Sequence, residues 1–193
     1  MKYLEGQGSF LTRNELEQFG FRSVGKNVLI SRKASIYNPE NIEVADNVRV
    51  DDFSCLSGVI KIGKYTHFTP FCLIAGGETG IYIGNFCTFA YRVSIFSQSD
   101  DYLGNKMANS TVPPEFKDEK KQITNISDHV IVGANSTIMP GAHLGEGSAV
   151  GAFSLVTKPT LPWGIYFGIP AKRRKERSKR ILEVVNLFEA SKS

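Results

Sequence analysis

The chain has 193 residues, of which 41% are hydrophobic and 22% are charged, and its formal net charge is +4. This size fits one soluble domain, and no apolar run approaches the ~18 residues that a membrane-spanning helix needs. The positive charge is concentrated in the segment KRRKERSKR at 172–180, which argues against a nucleic-acid-binding surface spread over the fold.

Residues 1–23 carry no repeat and are predicted to form a helical cap. They lack the apolar stretch of a secretory signal, which favours a cytoplasmic location. Thr12 and Glu15 form a capping-box pattern ahead of a short helix that Gly20 would end. Such a helix would cover the open end of the following domain and shield its edge.

From 24 to 171 the sequence repeats every six positions. An aliphatic or aromatic residue recurs at that spacing, and a small or β-branched residue follows it four positions later. Glycines after the apolar residue, such as Gly63 and Gly133, would relieve a tight turn or a close backbone approach. The clearest run of apolar residues is Ile126, Val132, Ile138, Leu144, Val150 and Val156.

Short strands joined by tight turns explain this pattern, because alternate side chains of a strand point to the same side. Three hexapeptides make one triangular coil of ~18 residues, and about six coils are expected. An antiparallel β-sandwich is the alternative, but its strands recur at irregular spacings of ~8–12 residues.

Two segments interrupt the repeat. The sequence GGETG at 76–80 absorbs three extra residues, and 97–125 form a long loop between Ile95 and Ile126. A loop of this length in a compact domain is either functional or a mobile insertion.

A C-terminal helix is predicted over 172–193. Its apolar stripe would pack on the coils or on a neighbouring subunit. Trp163 and Tyr166 would pack under this helix or stack on a nucleotide base. The stripe consists of Ile181, Val184, Val185 and Phe188.

The cysteines form no CxxC pair, which argues against both a disulfide framework and a zinc site. Cys72 and Cys87 occupy inward positions of the repeat and are predicted to be small core residues. Cys55 points outward and has no assigned role.

The repeat resembles that of the hexapeptide-repeat acyltransferase superfamily over about residues 24–175, above all in VIVGANSTIMPGAHLGEGSAVGAFSLVTK at 130–158. The ending PWGIYFGIPAKRRKERS is similar to sugar acetyltransferases of bacterial O-antigen and lipopolysaccharide synthesis. The resemblance implies an all-β, left-handed parallel β-helix that forms a homotrimer. It also implies acetyl transfer from acetyl-CoA, without a metal, to the amine of a nucleotide-linked amino-deoxy sugar of the dTDP-4-amino-4,6-dideoxyglucose type.

Three other functions stay open at this point. An O-acetyltransferase acting on a sugar or saccharide would share the fold, the cofactor and the base. A zinc-dependent hydratase on the same coil needs three histidines gathered at one site. A non-catalytic scaffold trimer would not bind CoA.

Acetyl transfer needs a base that takes a proton from the attacking group. His67 precedes the inward-pointing Phe68 and therefore points outward. It lies on the same face as Ala134 and Ala152, which are predicted to line a track for CoA. His129 lies at a turn, and His143 points outward on another face. His67 is therefore the predicted general base.

The predicted track for the pantetheine arm of CoA is lined by Ala134 and Ala152, which stack one coil apart. Lys158, Lys172 and Arg173 lie near the end of the coils, where the resemblance places the CoA phosphates. Lysine and arginine suit phosphate recognition.

Asp100, Asp101 and Tyr102 begin the long loop, which the resemblance implies reaches toward a neighbouring subunit. They are predicted to bind the substrate or to orient His67 across an interface, and a solvated acidic turn is the alternative. The segment SQSDD at 97–101 replaces the histidine-containing loop of simple maltose-type acetyltransferases.

Overall fold

The computed structural model describes residues 8–192. They form a parallel β-helix whose three faces are sheets of five, eight and six strands, and a two-stranded antiparallel sheet lies outside it. The eight-stranded sheet holds seven parallel strands and one antiparallel strand at its end. The predicted β-helix is confirmed, with about seven coils where the spacing predicted about six.

The helices are α1 (Arg13–Gln18) and α2 (Ile181–Ala190), and single 3₁₀ turns cover Pro39–Asn41 and Pro114–Phe116. The strands are β1 (Ser23–Val24), β2 (Leu29–Ile30), β3 (Ser35–Tyr37), β4 (Ile42–Val44), β5 (Arg49–Val50), β6 (Cys55–Ser57), β7 (Ile60–Ile62), β8 (His67–Phe68), β9 (Leu73–Ala75), β10 (Ile81–Ile83), β11 (Thr88–Phe89), β12 (Ser94–Phe96), β13 (Gln98–Ser99), β14 (Lys120–Lys121), β15 (Thr124–Ile126), β16 (Ile131–Val132), β17 (Thr137–Ile138), β18 (Ala149–Val150), β19 (Leu155–Val156), β20 (Gly164–Phe167) and β21 (Lys172–Glu176).

The core is a stack of the repeating apolar side chains inside the triangle. Phe68 and Phe89 lie on consecutive coils with their rings stacked 4.8 Å apart. Small hydroxyl side chains fill the inward corners, and each bonds a carbonyl of an adjacent turn, as Ser136 Oγ does to Gly151 O at 2.9 Å. Buried hydroxyls are tolerated there because every one of these has a partner. Further examples are Ser54, Thr66 and Ser148.

Close packing of successive coils explains the glycines. A Cβ on Gly63 would lie 2.4 Å from the backbone of Gly84, and one on Gly133 would lie 2.4 Å from the backbone of Ala152. Neither glycine has a positive φ. Of the two reasons predicted for these glycines, close backbone approach is therefore the one that applies.

Two corners of the triangle are columns of non-glycine residues in the left-handed conformation. In the corner before the eight-stranded sheet, Tyr65, Phe86 and His129 have φ of 56°, 57° and 62°. Each donates its N–H to a carbonyl of the coil below, as Phe86 does to Lys64 O at 2.8 Å. These bonds hold a conformation that is otherwise costly for bulky residues. We refer to this column as the aromatic corner.

The predicted capping box of α1 is confirmed. Thr12 N donates to Glu15 Oε2 at 2.7 Å, and Glu15 N donates to Thr12 Oγ1 at 3.3 Å. Leu16 is buried against the first coil, and Gly20 follows the helix with φ of 93°. Residues 1–7 of the predicted cap lie outside the described residues.

The loop predicted over 97–125 is shorter in the structure. Ser97 is buried in the core, and β13 pairs with β14 to close the base of the loop. Thr124 is buried in β15, which pairs in parallel with β10. The coil therefore resumes before Ile126, because Thr124 can fill an inward position like the small residues elsewhere in the repeat.

The prediction of a helix from residue 172 is wrong at its start. Lys172–Glu176 forms β21, antiparallel to β20, and α2 begins only at Ile181. Pairing with the exposed edge of the last coil satisfies backbone groups that a helix would leave open. Of the predicted apolar stripe of α2, Phe188 contacts Tyr65 of the aromatic corner edge-on at 5.3 Å, whereas Val184 is exposed. Neither of the described helices is long and apolar enough to cross a membrane.

Candidate active site

His67 lies in β8, in the middle of the eight-stranded sheet, and points outward as predicted. Its side chain is 36% exposed. Nε2 lies 2.8 Å from Oδ2 of Asp51, and Arg49 Nε donates to Asp51 Oδ1 at 2.7 Å. The carboxylate is only 12% exposed, so it is held between two partners on the coil surface. A histidine with one anchored nitrogen and an accessible edge can serve as a general base.

Asp51 and Arg49 were not identified from the sequence, although the coil spacing carries the signal. Arg49 is paired in register with His67, one coil below. Side chains two positions apart on a strand point to the same side, which places Asp51 beside that pair. The 18-residue spacing from Arg49 to His67 would have shown this contact.

His129 occupies the aromatic corner and is not accessible. It is 7% exposed and stacks on Phe86 at 5.3 Å. Its Nδ1 has no hydrogen-bond partner among the described residues. On the five-stranded face, His143 Nδ1 accepts a bond from Asn125 N at 3.3 Å. The histidines therefore occupy three separate places, and the described residues contain no group of three or more His, Cys, Asp or Glu side chains that could hold a metal.

The carboxylates of the long loop have different surroundings. Asp101 accepts hydrogen bonds from the backbone N–H groups of Leu103 at 2.7 Å, Asn105 at 2.8 Å and Lys106 at 3.1 Å. These bonds, that of Leu103 first, lower the pKa of Asp101 below its ordinary value. Asp100 accepts one long bond, from Asn109 N at 3.4 Å. Asp101 thus organises the loop, while Asp100 keeps its carboxylate available.

The loop and His67 lie on different sides of one chain. The loop leaves the coil after β12 of the six-stranded sheet, whereas His67 belongs to the eight-stranded sheet. Tyr102 is 89% exposed. Within the described part of the chain, no hydrogen bond or ion pair joins the loop to His67. The described structure of one chain therefore does not bring the loop and His67 into contact.

Ala134 and Ala152 stack on one another as predicted, since Phe153 N donates to Ala134 O at 2.9 Å. They lie in the turns that follow β16 and β18, at the edge of the eight-stranded sheet rather than on its flat face. Exposed aromatic side chains, Phe153 and Phe167, lie near this edge. The predicted track for the CoA arm would therefore run along this edge.

The predicted phosphate-binding residues are separated by the structure. Lys172 is paired with Phe167 next to the track, whereas Arg173 bonds Glu176 at 2.5 Å. Lys158 follows β19 of the six-stranded sheet. A residue that the sequence reasoning missed, Arg174, lies over the ring of Phe167 at 5.4 Å. It was missed because this segment was assigned to a helix.

The inward cysteines are core residues, as predicted. Burial raises the pKa of Cys72 to about 11 and that of Cys87 to about 12. Burial also raises the pKa of the partly exposed Cys55. Thiols in this state are poor nucleophiles, so the structure assigns them no part in acyl transfer.

Comparison with known proteins places this geometry among acyltransferases. The model of the family described as "Bacterial transferase hexapeptide (six repeats)" matches residues 123–158. A dTDP-4-amino-4,6-dideoxy-D-glucose acyltransferase of Escherichia coli is 39% identical over 186 residues, which are 95% of this chain and 96% of the relative. A chloramphenicol acetyltransferase of Morganella morganii is 35% identical over 147 residues, 68% of each chain.

A solved structure is similar over the whole fold. The N-acyltransferase AntD from Bacillus cereus, in complex with dTDP and 3-hydroxybutyryl-CoA, superposes with a TM-score of 0.93 at 43% identity. The match covers 95% of this chain and 98% of AntD. A variant of AntD has been solved with dTDP-4-amino-4,6-dideoxyglucose and coenzyme A, again at a TM-score of 0.93.

Proposed function

The chain belongs to the hexapeptide-repeat acyltransferases, and on that premise we propose that it acylates the amine of a dTDP-linked 4-amino-4,6-dideoxyglucose with an acyl-CoA donor. The observation that carries this proposal is the 39% identity over 95% of the chain to an enzyme named for that sugar. A variant of AntD, at 43% identity, has been solved with the same nucleotide sugar and with CoA. Acetyl-CoA is the predicted donor. A CoA thioester with a longer acyl chain is the alternative donor, because AntD has been solved with 3-hydroxybutyryl-CoA.

The proposed reaction is direct transfer from the thioester. The sugar amine attacks the thioester carbonyl, its nitrogen loses a proton, and the C–S bond breaks to release CoA. His67 is the proposed base, because its side chain is partly exposed and one of its nitrogens is held by a carboxylate, that of Asp51. Positioned general bases of this kind contribute ~10²–10⁴-fold to the rate.

The acceptor is proposed to contact the loop through Asp100 and Tyr102. Asp100 has a carboxylate with one long hydrogen bond, and Tyr102 is exposed. Asp101 is assigned to loop organisation instead of substrate binding, because three backbone N–H groups occupy its carboxylate.

The CoA arm is proposed to follow the track of Ala134 and Ala152 to the end of the coils. Lys172 and Arg174 flank Phe167 beside this track and suit the phosphates as point charge and fork. Arg173 is bonded to Glu176, so Arg174 takes its place in the proposal. Lys158 stays a prediction from its position in the last coils.

The proposed assembly is a homotrimer in which the loop of one subunit meets His67 of another. The separation of His67 from the loop within one chain supports it, as do exposed apolar side chains on the loop. These are Tyr102, Leu103, Met107 and Phe116. The cytoplasm and a role in surface-polysaccharide synthesis stay predictions.

The proposed function is tested by CoA release, detected with a thiol reagent, over a panel of dTDP-, UDP- and GDP-linked amino sugars. Each amino sugar is paired with its hydroxyl counterpart, and acetyl-CoA is compared with 3-hydroxybutyryl-CoA. Turnover with the dTDP-linked 4-amino sugar and none with its hydroxyl counterpart is expected. Turnover only with hydroxyl acceptors would establish O-acylation instead. The oligomeric state is tested separately, by sedimentation of the same sample, and a trimer is expected.

A further inference from the structure

The contact between His67 and Asp51 determines which nitrogen of the imidazole is available for chemistry. Nε2 lies 2.8 Å from Asp51 Oδ2, so Nδ1 is the nitrogen that this bond leaves free. We propose that Asp51 is a positioning residue for acyl transfer: it holds His67 in the tautomer with the proton on Nε2, so that Nδ1 accepts the proton of the acceptor amine. This inference rests on the proposed role of His67 as the base.

The tautomer follows from the donors and acceptors present. An ionised carboxylate can only accept hydrogen bonds, so the hydrogen in this contact belongs to Nε2. A neutral imidazole with a proton on Nε2 carries its lone pair on Nδ1. The side chain of His67 is 36% exposed, which leaves the ring open to a substrate.

Arg49 keeps the carboxylate in place. Its Nε donates to Asp51 Oδ1 at 2.7 Å, and its guanidinium lies over the ring of Phe10 at 5.3 Å. The carboxylate of Asp51 is only 12% exposed, and burying a charge without such a partner is costly. With Arg49 beside it, Asp51 orients the imidazole and stabilises its charged form without taking the proton itself.

The charged groups that face His67 from the coil below are Arg49 and Asp51. The coil above contributes Thr88, which is paired in register with His67 and carries no charge. The effect of replacing Asp51 therefore concerns its hydrogen bond to the imidazole. The amide of asparagine offers donors as well as an acceptor, so it no longer holds the proton on Nε2, and proton transfer to Nδ1 slows.

The neighbouring carboxylate provides a matched control. Asp52 accepts hydrogen bonds from Ser31 and Lys33 instead of His67. Asp51→Asn and Asp52→Asn therefore remove the same charge at adjacent positions, and only the first touches the imidazole.

The experiment measures kcat and KM for Asp51→Asn, Asp52→Asn and His67→Gln, with acyl-CoA and the acceptor that the panel identifies. We expect Asp51→Asn to lose ~10²-fold or more in kcat, with the KM for acyl-CoA unchanged. Asp52→Asn should match the parent protein. A merely structural role for Asp51 would leave the tautomer of His67, read from imidazole ¹⁵N spectra, unchanged in Asp51→Asn.

Imidazole ¹⁵N spectra of the unsubstituted protein test the tautomer without any variant, so the inference stays falsifiable if Asp51→Asn does not fold. The chain has only three histidines, and His67→Gln assigns the signal. A proton on Nδ1 of neutral His67 would overturn the inference. Loss of activity in His67→Gln with normal activity in Asp51→Asn would overturn the role of Asp51 but not that of His67. Normal activity in both variants would also overturn the proposed base.

Discussion

The indole of Trp163 lies against Gly147 and reaches the imidazole of His129, with ring centroids 6.4 Å apart. Gly147 lies between them in the aromatic corner, and its missing side chain is the space that the indole occupies. Arg177 completes the arrangement by donating to the carbonyls of His129 at 2.7 Å and Gly147 at 2.9 Å. The segment that precedes α2 is therefore fastened to the last coils.

Gly147→Ala should destabilise the protein. The new Cβ would lie 2.4 Å from the ring of Trp163, and φ of Gly147 is 64°. Overpacking and left-handed strain together should cost about 2–4 kcal/mol of unfolding free energy. Gly104→Ala is the control, because its φ is 78° but a Cβ added there would have no atom of the described residues within 4 Å. Thermal melts at one protein concentration measure both, and equal melting temperatures would contradict the prediction.

The coil and its faces were predictable because the hexapeptide repeat decides which side chains point inward, as Phe68 and Phe89 do. The aromatic corner was not, since Phe86 and Trp163 adopt a left-handed conformation that local preference assigns to Gly or Asn. The strand Lys172–Glu176 was missed because its partner is the edge of the last coil, a tertiary contact that no local pattern records. Of the site, His67 was placed on the correct face, but its partner Asp51 requires the spacing between coils.

His67→Gln should lower kcat by ~10²–10⁴-fold, because the base is removed while the surrounding coil is kept. The affinity for acyl-CoA and the oligomeric state should not change, since His67 is a surface residue of β8 with a partly exposed side chain. His143→Gln is the matched control on the five-stranded face. Steady-state kinetics and calorimetric titration with CoA make the comparison, and unchanged kcat in His67→Gln would exclude it as the base.

Asp100→Asn and Asp101→Asn should separate chemistry from loop order. In Asp101→Asn an amide replaces the carboxylate that accepts hydrogen bonds from three backbone N–H groups. These bonds are weakened, so amide hydrogen exchange at Leu103, Asn105 and Lys106 should become faster. Asp100→Asn should leave exchange unchanged and lower kcat/KM for the acceptor. Hydrogen exchange and kinetics on the same samples decide the matter. Faster exchange in Asp100→Asn, or unchanged exchange in Asp101→Asn, would contradict the assignment of Asp101 to loop organisation.

The capping box of α1 should make that helix sensitive to acid. The Arg32 guanidinium, and then Thr12, lower the pKa of Glu15 to about 2. A lowered folded-state pKa contributes stability above the ordinary value, and this stability is lost as the pH falls from about 4.5 to about 2. The protection factors of the α1 amides, which correct exchange rates for their intrinsic pH dependence, should therefore fall over that range. In Glu15→Ala these protection factors should be low already at neutral pH and change little on acidification.

Ala152→Trp should raise the KM for acyl-CoA and leave the KM for the acceptor unchanged. Ala152 is exposed in the turn after β18, and the turn of Ala134 lies directly below it, so an indole would fill the shallow track along which the CoA arm is proposed to run. Because the position is on the surface, the coil should fold normally, since surface substitutions usually change stability by less than ~0.5 kcal/mol. Ala190→Trp, at the end of α2, adds the same side chain away from the track. Initial rates over a range of acyl-CoA concentrations compare the two variants. An increase in KM for Ala152→Trp alone would support the track, whereas equal values would move the CoA arm to another side of the β-helix.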